Sequence, residues 1–180
     1  MKEKNLNLPN ILAAFRIALA PLMLWFMVDQ SNPIFNGWHP SWFDYFAGLI
    51  FVIASVTDFF DGYIARSWDQ MTKLGSILDP LADKMLILAG LLGLMVLDRA
   101  SAFAVFSILS REFFITGLRV VAVSEGKAVA STMAGKVKTV VQMIAIGFLL
   151  MNWPFATELL WLAVGLTLYS GYEYIRDYLK

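Results

Sequence analysis

Four aspartates at helix-compatible spacings are the most chemically suggestive residues in the chain. Asp58 and Asp61 stand three residues apart, and Asp79 and Asp83 stand four apart. Either interval places two side chains on one face of a helix. The first pair closes one apolar stretch and the second opens the next, so a short turn would let all four carboxylates converge. Four like charges held together repel, and positive charge must compensate them. Oxygen donors with no Cys or His nearby suit a hard divalent cation such as magnesium, manganese or calcium. Two such ions sharing carboxylates would clamp a phosphoryl or diphosphate group. Gly62, directly after Asp61, removes a side chain where a ligand would need close approach. Arg66, one turn further, presents a fixed fork of donors to a phosphate. The plainer alternative is a set of helix-end caps neutralised by Arg66, Lys73 and Lys84. Ionisable residues near membrane spans are costly and usually functional, which weighs against it.

The elements that must carry these residues follow from composition. Of 180 residues, 59% are hydrophobic and 16% are charged, with a mean hydropathy of +0.66. Soluble domains run at roughly 45–50% apolar and about 25% charged, and a short chain has little core in which to hide an excess. The expected fold is therefore an all-α integral membrane protein. Six apolar stretches near the ~20 residues of a transmembrane helix fall at about 10–28, 42–65, 80–98, 100–122, 137–153 and 155–175. Residues 5–16 suggest a short interfacial helix ahead of the first span. No repeat or linker divides residues 1–180, so a single domain is expected. The absence of cysteine excludes disulfides, thiolate ligands and cysteine nucleophiles. Lys+Arg and Asp+Glu balance at 14 each, which argues against a nucleic-acid partner.

Basic residues set the orientation. With six spans, every Lys and Arg except Arg99 falls on the side shared by both termini and the second and fourth loops. Both termini and the aspartates are thus expected to be cytoplasmic, in a multi-pass protein. Lys2 and Lys4 before an apolar run ending at Ala18-Leu19-Ala20 faintly resemble a signal peptide, but Arg16 interrupts the run, which continues past Ala20. A retained first helix is expected.

A second cluster is basic. Arg111 and Arg119 are eight residues apart, about two turns, and share a face. Gly135-Lys136-Val137-Lys138-Thr139 opens the fifth helix, where free backbone N–H groups favour an anion. Together Arg111, Arg119, Lys136 and Lys138 form a candidate pocket for the phosphate of an acceptor. Arg111 adjoins Glu112, and neighbours on a helix point in different directions, so each is expected to find another partner, a phosphate in the case of Arg111. Positive-inside charges meeting anionic headgroups are the plainer reading for Arg119, Lys127 and Lys138. His39 reads as a solvated loop residue. Phe35, Trp38, Trp42, Phe43, Trp153 and Trp161 read as interfacial anchors, and Gly90, Gly93, Gly165 and Gly171 as sites of close helix packing.

The pattern D-x2-D-G-x2-A-R-x8-G-x3-D-x3-D over residues 58–83 resembles the signature of the CDP-alcohol phosphatidyltransferase family in every fixed position. That resemblance implies a six-helix membrane domain holding two divalent cations, Mg2+ or Mn2+. It makes Asp58, Asp61 and Asp79 metal ligands, and Asp83 both ligand and general base. It places Gly62, Arg66, Thr72 and Gly75 on the cytidine diphosphate of CDP-diacylglycerol. The family's N-terminal Pro-Asn, Thr and Arg correspond here to Pro9, Asn10 and Arg16, with Ala13 where Thr is expected, leaving Asn10 near the nucleotide or metal. Ser-Arg-Glu-Phe, Gly-Leu-Arg and Gly-Lys-x-Lys-Thr look like the branch that uses sn-glycerol 3-phosphate as acceptor. The resemblance further implies a homodimer among membrane lipids in a bacterial inner membrane, forming phosphatidylglycerophosphate and CMP. The residues alone reach only an acceptor with a phosphate, since an inositol phosphate would want the same pocket. An intramembrane prenyltransferase, a divalent-cation transporter and a non-catalytic lipid-binding protein are the competing classes.

Overall fold

A computed structural model of the protein describes residues 8–67, 73–126 and 132–179, with side chains outside 8–9, 58–67, 73–77 and 79. The described residues are helical throughout, apart from turns. They form α1 (Leu8–Val28), a 3-10 turn at Pro33–Phe35, α2 (Pro40–Ser67), α3 (Lys73–Val96), α4 (Ala102–Ser124), α5 (Met133–Leu150) and α6 (Ala156–Tyr178). Each apolar stretch expected from the sequence corresponds to one helix. Three stretches are long and apolar enough to cross a membrane: Asn10–Val28, Pro40–Thr57 and Met133–Leu150. The other helices carry charges within their length, among them Asp79, Asp83 and Lys84 in α3 and Arg111, Glu112 and Arg119 in α4. Residues 8–16 are the first turns of α1, continuous with the remainder of that helix, and not a separate element.

The chain divides into two compact units, Met1–Leu97 and Asp98–Lys180. In the first, α1 packs against both α2 and α3. Its buried stripe runs Ala13, Arg16, Leu19, Ala20, Met23 and Met27, the three-and-four spacing of one helix face. Gly93 of α3 lets Met27 lie so close that a Cβ there would fall 2.7 Å from the Met27 sulfur. At the same end of α1, Phe35 touches the rings of Trp25, Phe26, Trp38 and Phe43 with centroids 5.0–5.6 Å apart. Phe35 and Phe43 are buried, whereas Trp38 and Trp42 are exposed. The aromatic loop therefore splits: two rings build a core that the alternation of polar and aromatic residues did not reveal, and two remain available as interfacial anchors. His39 is exposed, with Nδ1 2.7 Å from the Ser41 hydroxyl.

In the second unit, α6 packs against α4 and α5. The expected break at Asn152-Trp153-Pro154 is a tight turn in which Asn152 and Phe155 both take positive φ, 52° and 63°. Arg99 donates to the Leu150 carbonyl at 3.1 Å, satisfying one of the acceptors left over at the end of α5. Thr132 caps the other end of α5 by accepting from the Gly135 N–H at 3.1 Å. The buried face of α6 begins apolar with Leu160, Ala163 and Val164, then turns polar at Thr167 and Ser170. Gln142 of α5 donates to the Thr167 hydroxyl at 2.7 Å.

Candidate active site

Asp58 and Asp61 lie toward the C-terminal end of α2, and Asp79 and Asp83 lie in the first turns of α3, with residues 68–72 between the helices. Asn10 and Arg16 stand on the buried stripe of α1. Thr72 lies outside the described residues, as do the side chains of Asp58, Asp61, Arg66 and Asp79 and the surroundings of Gly62 and Gly75.

Asp83 is the member whose environment is described. Its Oδ1 lies 3.4 Å from Nη1 of Arg16, while 39% of its side chain remains exposed. Arg16 itself is fully buried. A buried guanidinium is costly without a counter-charge, so the pair anchors Asp83 to α1 while part of the Asp83 side chain stays exposed. The sequence marked Arg16 as an interruption of an apolar run and as part of the family's N-terminal pattern, but gave it no partner. The signal that could have found it is its register with Ala13, Ala20 and Met23 on the face that α1 buries.

Among the described residues no three His, Cys, Asp or Glu side chains gather into a metal site. The residue types that α2 and α3 carry on their consecutive ends, carboxylates at helical spacing, are nevertheless of the kind that would suit a hard divalent ion.

The basic cluster differs in detail from its expectation. Arg111 and Glu112 do meet, with Nη1 3.4 Å from Oε1. Backbone directions diverge by one helical step, but the arginine side chain is long enough to fold back across it. Lys138 of α5 also donates to Oε1 of Glu112, and only 5% of Lys138 is exposed. Arg111 donates through Nη2 to the Ser170 hydroxyl of α6 at 2.7 Å. Arg119 is exposed, with its guanidinium carbon 5.9 Å from the Tyr174 ring centre, and Lys136 is exposed as well. Lys138 is therefore a buried partner of a carboxylate and not a loose headgroup contact. Arg111 opens onto a groove of about 610 Å³ between α4 and α6, lined by Phe106, Ser110, Phe114, Leu168 and Tyr172. Glu112 and Ser170, which the sequence reading passed over as site residues, are what join these helices.

A membrane-type helical chain with this aspartate arrangement is matched over residues 6–169 by the family model for CDP-alcohol phosphatidyltransferase. The chain belongs to that family. It is 42% identical to the CDP-diacylglycerol–glycerol-3-phosphate 3-phosphatidyltransferase of Bacillus subtilis (strain 168), covering 93% of each chain. The enzymes of the same name from Rickettsia felis and Escherichia coli (strain K12) are each 35% identical, over 94% of this chain and 94% and 93% of theirs.

Proposed function

We propose that this chain transfers the phosphatidyl group of CDP-diacylglycerol to sn-glycerol 3-phosphate, forming phosphatidylglycerophosphate and CMP. The observation that carries the reading is the four-aspartate pattern, set on consecutive helix ends in a chain similar to enzymes of that name along nearly its whole length. Asp58, Asp61, Asp79 and Asp83 are the residues that would hold two divalent cations, Mg2+ or Mn2+. When bound, such ions supply positive charge to the diphosphate of the lipid substrate. Arg66 and Thr72, with the open backbone at Gly62 and Gly75, bind the cytidine diphosphate moiety, and Asn10 lies beside it.

Asp83 is the general base. Arg16 holds its Oδ1, and its exposed part meets the acceptor hydroxyl. The proton passes to the carboxylate as the hydroxyl oxygen bonds to the β-phosphorus. The bond from that phosphorus to the CMP oxygen breaks in line, and CMP leaves with the electron pair. No covalent enzyme intermediate is needed. Arg111 and Lys138 receive the acceptor's phosphate, supported by the exposed Arg119 and Lys136.

All six helices span the bilayer in this reading, as one functional domain with both termini and the active site cytoplasmic, in a bacterial inner membrane and as a homodimer. CMP release from CDP-diacylglycerol by the purified protein, with Mg2+ or Mn2+ and either glycerol 3-phosphate or inositol phosphate, tests it. Release with glycerol 3-phosphate alone, abolished by chelator, is expected. Release with inositol phosphate alone overturns the acceptor, and release with neither overturns both assignments.

A further inference from the structure

Glu112 is a single acid set among cations, and one of its oxygens serves two helices. Oε1 accepts from Lys138 of α5 and lies 3.4 Å from Nη1 of Arg111 on its own helix, α4. The second Nη of Arg111 is taken by Ser170 of α6, whose hydroxyl donates in turn to the Thr167 carbonyl at 3.2 Å. A guanidinium held by both Nη atoms cannot swing. Two of its five N–H donors are taken in this way, and its Nε is buried without a hydrogen bond, so a further N–H on each Nη is what remains for an anion. Gly171 completes the seat: a Cβ there would lie 3.2 Å from Cγ and 3.3 Å from Nε of Arg111. Gly171, expected to serve helix packing, does so by making room on α6 for an arginine of α4.

We infer that Glu112 is a positioning residue for the acceptor's phosphate, fixing Arg111 and Lys138 in one arrangement, with Ser170 and Gly171 seating Arg111 against α6. The inference rests on the acceptor assignment proposed above. A carboxylate that merely offset charge would weaken anion binding, and removing it would tighten that binding. A carboxylate that positions two cations does the opposite when lost. The two roles therefore predict opposite signs.

The test is the KM for each substrate, measured on the purified full chain with divalent cation. Glu112→Gln raises the KM for glycerol 3-phosphate about tenfold, the loss that follows when charge-assisted contacts are misaligned. The kcat and the KM for CDP-diacylglycerol stay within about twofold, since lost alignment at one subsite is uniform binding for that substrate alone. Glu112→Asp recovers part of the loss. Ser170→Ala and Gly171→Ala, which leave the Glu112 carboxylate in place, raise the same KM severalfold. An unchanged or lower acceptor KM in Glu112→Gln overturns the inference, as does a parallel rise for both substrates. If Glu112→Gln does not fold, the Ser170 and Gly171 variants decide: no acceptor-specific change in either is a refutation. A wild-type protein that uses a different phosphorylated acceptor refutes the proposed substrate while the KM comparison proceeds with that acceptor. One that uses only unphosphorylated alcohols refutes both.

Discussion

The two units solve opposite electrostatic problems. In the first, four aspartates stand toward the ends of α2 and α3, and a described counter-charge is Arg16, fully buried in α1 and paired with Asp83. In the second, Arg111 and Lys138 are the majority, and the minority charge is Glu112. Each cluster would repel itself if built of one sign, and among the described side chains each includes an opposite charge on an adjoining or shared helix. In both cases that counter-charge holds a member of the majority by an ion pair. It is also the residue hardest to recognise beforehand, because attention goes to the run of like charges that binds the ligand.

Breaking the carboxylate side should have the larger effect. Asp83→Asn keeps the shape but removes both the base and the counter-charge of buried Arg16, so kcat should fall by about 10²–10⁴ and the thermal midpoint should drop measurably as well. Turnover near wild type in a steady-state CMP assay would remove Asp83 from that role. Arg16→Met should cost about 2–3 kcal/mol of stability in a denaturation series. That is below the ~3–5 kcal/mol of a wholly buried pair because Asp83 is partly exposed. The same variant should lower kcat, with Arg16→Lys recovering part of it.

The basic side should respond differently. Lys138→Met should raise the KM for the phosphorylated acceptor roughly tenfold and leave that for the CDP-lipid alone. If both rise together, the division of labour between the units is wrong. The smallest effect belongs to Arg99, which caps α5 far along the helix from Lys138. Arg99→Met should lower stability by about 1 kcal/mol or less with both KM values intact, as read by thermal unfolding alongside the assay.

Much of this was legible in the sequence. Runs of apolar residues announced six helices, and the spacing of Asp58, Asp61, Asp79 and Asp83 announced their shared faces. What escaped was pairing across distance. Arg16 and Asp83 lie on different helices, and no local pattern joins them. Glu112 was misjudged because the directions of adjacent Cα–Cβ bonds were taken as the limit, whereas the reach of the arginine side chain decides. Phe35 and Phe43 were misjudged because an aromatic ring at a membrane surface and one in a small core have the same composition; only the surrounding rings distinguish them. Gly171 shows the same limit, since a missing side chain does not say which neighbour fills the space.

The switch of α6 from an apolar to a polar buried face bears on how the protein is made. Arg111 and Gln142 find their hydroxyl partners, Ser170 and Thr167, on a helix the ribosome completes after both of theirs. Until then the guanidinium and the amide lack those hydroxyl partners. The buried polar contacts of α4 and α5 are therefore completed only when α6 has been made, which ties the folding of the second half of the chain to its last helix.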